Sequence, residues 1–115
     1  MYNDFMEGEI NSVDDIEKLI SDSPALLLYI STEGCNVCRE LKPKIIKLLD
    51  RDFPKIKFQY IDLDQVKEAS GQFSVFAVPT ILVYFDGKEF FREGRNLGME
   101  QLREKIERPY SMLFQ

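Results

Sequence analysis

The run ALLLYIS, Ala25 to Ser31, restricts the fold more than any other stretch of the chain. It is strand-length and apolar almost throughout, with no alternation of polar residues. That predicts a strand covered on both faces, which needs one layer of structure above it and another below. The run leads through TEG into CNVC and then into Asn36 to Asp52. There Cys38, Leu41, Ile45, Leu48 and Leu49 recur at steps of three and four, with Arg39, Glu40, Lys42, Lys44 and Lys47 between them. The period is that of an amphipathic helix, with Pro43 expected to bend it in the middle.

The rest of the chain continues this alternation. Glu7 to Ile10 reads as a short strand. Ser12, with Asp15 three positions on, opens a helix through Ile16, Leu19 and Ile20 that Pro24 closes. KFQYID, Lys57 to Asp62, is a strand, and a short polar helix follows from about Gln65 to Gln72. PTILVYF, Pro79 to Phe85, is rich in strand formers, and Asp86-Gly87 is a strong hairpin signal joining it to KEFFRE. Met99, Leu102 and Ile106 mark a last helix that Pro109 is expected to stop. The order βαβαβαββα predicts an α/β fold with a central mixed sheet flanked by helices, in a single domain over residues 1–115. Tyr110 to Gln115 is then an apolar tail, expected to pack back on its own sheet or helix rather than to meet a partner.

Chain length and charge narrow the function. A chain of 115 residues can bury roughly two-thirds of its unfolded surface, so its core needs no covalent staple. The net charge of −5, with both signs interspersed, argues against nucleic acid as a partner. No apolar run approaches the roughly 20 residues of a membrane helix, and MYNDFMEGEI lacks the pattern of a secretory signal. The expectation is a soluble, cytoplasmic protein. In that reducing compartment a cysteine pair points to redox catalysis or metal rather than to a structural bridge.

Cys35 and Cys38 are the chain's two cysteines, and it contains no histidine. A structural zinc site needs four Cys or His ligands, so a metal would require carboxylates or a second chain. The same lack excludes a Cys-His dyad, and two small core residues are a further, less favoured reading. At the first turn of a helix, Cys35 near the N-cap and Cys38 one turn on share a face. Unpaired N–H groups there favour thiolate over thiol. Arg39 can add to that effect, which makes Cys35 the nucleophile and Cys38 the more buried partner.

EGCNVCRELKP resembles the active-site segment of the thioredoxin family, with a proline five residues after the second cysteine. FSVFAVPTILVYFDGKEF is similar to the segment holding that family's cis-proline, strand and hairpin, and Gly94 to a later family glycine. The resemblance implies the thioredoxin fold, a cis Val78-Pro79 peptide facing the cysteines, and a docking surface made of Gly34, Ala77, Val78 and Gly94. It also implies thiol–disulfide exchange with disulfide-containing proteins or small molecules, no bound cofactor, a thiol or flavoprotein reductant, and a monomer. The alternative is a redox-inactive binding module of the same fold, or a metal clipped between two chains. Five positions depart from the family pattern. Gly34 replaces a tryptophan, Asn36-Val37 replaces Gly-Pro, Tyr29 stands in place of a buried aspartate, and Tyr60 in place of its lysine.

Overall fold

The computed structural model describes residues 10–114. Of the first expected strand, Glu7 to Glu9 lie outside the described residues, and Ile10 is not in a strand. Helix α1 (Val13–Asp22) opens as its sequence predicts. The Ser12 hydroxyl accepts the Asp15 N–H at 3.1 Å, while the Asp15 carboxylate accepts the Asn11 N–H at 2.9 Å. Strand β1 (Ala25–Ser31) is buried at all seven positions.

Helix α2 (Asn36–Asp52) and strand β2 (Lys57–Asp62) keep the bounds read from the pattern. Pro43 is exposed inside α2, and the helix continues past it to Asp52. Helix α3 (Glu68–Phe73) starts three residues later than expected. The Asp62 carboxylate accepts the Asp64 N–H and its carbonyl accepts those of Gln65 and Val66, so turns occupy that stretch. Strand β3 (Thr80–Phe85) begins one residue after Pro79, which has no N–H to give a ladder. Asp86 and Gly87 both have positive φ, 55° and 79°, as the tight turn into β4 (Lys88–Glu93) requires.

The last helix corrects the sequence reading. Helix α4 (Met99–Leu113) carries Pro109 in its interior, so Tyr110 to Leu113 are helical and not a tail. The Tyr110 ring stands edge-on to Phe53 at 5.0 Å and its hydroxyl accepts the Lys55 N–H at 3.1 Å, while Phe114 packs on Tyr110 at 4.8 Å. These contacts hold the helix beyond a proline that local propensity alone would let end it. Met112 and Leu113 face solvent.

The sheet order is β2-β1-β3-β4, with β1 parallel to β2 and antiparallel to β3, and β3 antiparallel to β4. Ala25, Leu27 and Tyr29 of β1 pack among Ile45 and Leu49 of α2 and Leu102 and Ile106 of α4. Leu26, Leu28 and Ile30 pack on the other face with Ile16 of α1 and Ala69 of α3. Each Leu or Ile so buried contributes about 1.5–3 kcal/mol relative to exposure. A continuous apolar run is therefore two alternating sets, each with its own layer of helices. The register also gathers the site: Ile30 faces Thr80 across β1 and β3, and Ile81 faces Glu93 across β3 and β4. The loop after β1, the segment before β3 and the segment after β4 thus leave the sheet at one end.

Candidate active site

Cys35 is the N-cap of α2, with extended backbone, and Cys38 lies in the first turn. The two are joined by a disulfide, with Cα atoms 5.2 Å apart. Cys38 is 2% exposed, whereas Cys35 is partly exposed and packs at the edge of the core cluster that contains Cys38. The Cys35 Sγ accepts the Cys38 N–H at 3.2 Å. A first-turn donor thus points at the outer sulfur, and that turn carries no acidic side chain to oppose negative charge there. Arg39 is exposed and gives a guanidinium N–H to the Glu33 carbonyl at 3.2 Å, which fastens the loop before the cysteines to α2.

Behind Cys38 the buried Tyr29 donates its hydroxyl to the Cys38 carbonyl at 2.6 Å. Burial, with Tyr60 as a lesser contribution, pushes the Tyr29 phenol up to about 12. Tyr29 therefore keeps its proton at neutral pH and acts as a hydrogen-bond donor, not as a base. Tyr60, its neighbour across the strands with ring centroids 6.4 Å apart, shares a hydroxyl bond of 3.2 Å with Ser31. The Lys42 ammonium sits 4.7 Å from the centre of the Tyr60 ring. A cleft of about 370 Å³ opens between Thr32, Cys38, Lys42 and Tyr60, on the side of the cysteines away from Pro79.

On the β3 side, the Val78-Pro79 peptide bond is cis, Pro79 is buried, and Val78 packs against the same cluster as Cys35. Thr80 Oγ1 donates to the Ala77 carbonyl at 2.7 Å. A side chain at Gly94 would come within 4.0 Å of the Pro79 carbonyl, an ordinary contact, while Gly34 has open space beside it. Gly34 and Ala77 are exposed. All nine residues singled out in the sequence thus lie at or just behind one end of the sheet, with Tyr29 beneath Cys38. Three further residues at this end had no signal in the sequence pattern: Phe76, 80% exposed; Arg95, bonded to the Val78 carbonyl at 3.1 Å; and the Ser31 hydroxyl on Tyr60. Among the described residues no group of three or more Cys, Asp or Glu side chains is placed to hold a metal ion.

The family model described as Thioredoxin matches residues 9–108. The chain belongs to the thioredoxin family. The thioredoxin-like protein YdfQ of Bacillus subtilis is 42% identical over 103 residues, covering 90% of this chain and 91% of that one. Thioredoxin Asp f 28 of Aspergillus fumigatus is 26% identical over 102 residues, covering 86% and 93%. Among solved structures, Fasciola hepatica thioredoxin superposes with a TM-score of 0.74 at 33% identity, over 85% of this chain and 94% of that one. With the Cys35–Cys38 disulfide at the family's position, this thioredoxin-family protein is a thiol–disulfide oxidoreductase. No helix among the described residues is long and apolar enough to cross a membrane.

Proposed function

We propose that Cys35 is the attacking thiol and Cys38 the resolving thiol in the reduction of disulfides in proteins. The observation that carries this assignment is the asymmetry of the pair: Cys35 is partly exposed at the helix cap with a backbone donor on its sulfur, while Cys38 is buried. The Cys35 thiolate attacks one sulfur of a substrate disulfide, forming a mixed disulfide and releasing the other sulfur as a thiolate that takes up a proton. Cys38 then loses its proton and attacks the Cys35 sulfur. The mixed disulfide breaks, the second substrate thiol leaves, and the bridge seen here remains. Two electrons pass from the dithiol to the substrate, and a thiol or flavoprotein reductant returns them.

Val78, Ala77, Gly34 and Gly94 form the proposed docking surface, with Val78 backbone pairing to an extended substrate segment by strand addition. Tyr29 positions Cys38 through its carbonyl, and Arg39 braces the loop that carries Cys35. We place the protein in the cytoplasm, working as a single-domain monomer, because reducing conditions keep such a pair in its dithiol form. The test is thiol-dependent reduction of insulin, followed by Cys38→Ser and Cys35→Ser. Cys38→Ser is expected to hold a stable mixed disulfide with a defined peptide disulfide, and Cys35→Ser to hold none. Trapping by both variants, or by neither, refutes the assignment of roles. A protein that never reduces insulin, yet binds peptides equally in both redox states, is a binding module instead.

A further inference from the structure

Five of the six arginines divide into two kinds. Arg51, Arg92 and Arg103 each hold a carboxylate, on Asp52, Glu89 and Glu100. Arg39 and Arg95 instead each give an N–H to a backbone carbonyl at the thiol end, on Glu33 and Val78. Arg95 follows Gly94 and is exposed. Its bond to Val78 is 3.1 Å and reaches across 17 positions of sequence, to the residue proposed to pair with substrate.

A carbonyl oxygen has two lone pairs and a guanidinium five N–H donors in a rigid fork. One bond therefore fixes Arg95 at the lip of the docking surface while a lone pair on Val78 and most of the guanidinium's donors stay available. The neighbouring charges are already matched. Glu93 pairs with Lys105, and Arg92 pairs with Glu89 while also bonding the Phe73 and Ser74 carbonyls. Arg95 has no carboxylate partner among the described residues, in a chain whose net charge of −5 repels acidic segments at a distance.

Resting on the oxidoreductase reading, we infer that Arg95 is a specificity residue that selects disulfide-bearing peptide segments with an Asp or Glu within two residues of the cysteine that Cys35 attacks. A segment paired to Val78 runs past the free edge of the guanidinium, where a carboxylate accepts two parallel N–H bonds with opposite charge and an amide offers only one neutral acceptor oxygen. The gain appears on docking, before the first sulfur exchange, so it acts on KM rather than on kcat.

The test compares two self-quenched fluorescent peptide disulfides that differ only in Asp or Asn two residues from the cysteine, with a dithiol as the electron source. The acidic peptide is expected to be favoured in kcat/KM by about twofold to fivefold, the range of one solvent-exposed ion pair. The preference is expected to sit in KM and to shrink in high salt. Arg95→Gln is expected to bring the ratio to about one, and Arg95→Lys to retain part of it. A ratio near one in the parent, or one that Arg95→Gln leaves unchanged while both peptides slow equally, overturns the inference and makes Arg95 a brace for the Val78 segment. If neither peptide is reduced at all, the oxidoreductase reading fails, and the inference fails with it.

Discussion

Tyr29→Phe removes one oxygen atom from the centre of the molecule and leaves the rest of the side chain in place. The ring keeps its contacts with Phe58 and Tyr60, at 5.9 and 6.4 Å, so no cavity larger than a hydroxyl forms. What is lost is the 2.6 Å bond to the Cys38 carbonyl, at a side chain with no solvent exposure. A buried acceptor deprived of one donor costs about 1–2 kcal/mol. At about 2.1 cal/mol/K of unfolding entropy per residue, 115 residues give about 0.24 kcal/mol/K, so the expected fall in Tm is about 4–8 °C. Urea unfolding of the oxidised protein is the assay, with the m-value expected to stay constant, because the surface exposed on unfolding hardly changes. If Tyr29→Phe matches the parent within about 0.3 kcal/mol at equal m, the hydroxyl contributes nothing to holding the first turn of α2, and the positioning role assigned to it is wrong.

Three other outcomes follow from the same site and its supports. Tyr29→Asp, in a variant still folded, is expected to release its mixed disulfide faster at pH 7 than the parent, since a carboxylate can take the Cys38 proton and a phenol held near 12 cannot; unchanged single-turnover release between pH 6 and 9 shows that proton removal does not limit resolution. Stability is expected to fall as pH rises from about 10 to 12, whereas below 10 both phenols are protonated in the folded and the unfolded chain and leave stability independent of pH. Burial raises Tyr29 and Tyr84 to about 12, so the unfolded chain ionises first; Tyr29→Phe and Tyr84→Phe should each flatten the fall in urea midpoint over that window. Tyr110→Ala is expected to cost about 2–3 kcal/mol and to reduce helicity beyond Pro109, read by urea unfolding and circular dichroism, and full helicity would mean that its contacts with Phe53 and Lys55 do not hold the end of α4.

Wherever one element's own pattern carried the information, the sequence was sufficient. Helix α2 and strands β1, β2 and β4 have the bounds their periodicity and turn residues indicate. The end of α4 was not legible, because the proline penalty is local and the contacts that outweigh it join Tyr110 to Lys55, 55 positions away. The start of α3 was hidden for a different reason: Asp62 satisfies the backbone of the residues after it and delays the helix. In the site, Cys35 and Cys38 were plain from spacing and address. The replacement of an acid by Tyr29 was visible too, but its partner was not, since the hydroxyl reaches a backbone carbonyl that no residue type advertises. Arg95 gave no signal for the same reason. Its partner Val78 is joined to it only by the register of β3 with β4.

The hairpin at Asp86-Gly87 lies at the opposite end of β3 from Pro79, and the six residues of that strand span about 20 Å. At that separation substitutions with no shared partner combine additively. The far end of the sheet, with exposed Phe90, Met112 and Leu113, can therefore change without disturbing sulfur exchange. A fluorophore, an affinity handle or an inserted peptide belongs at the hairpin, where it reports on the molecule without standing in the path of a substrate.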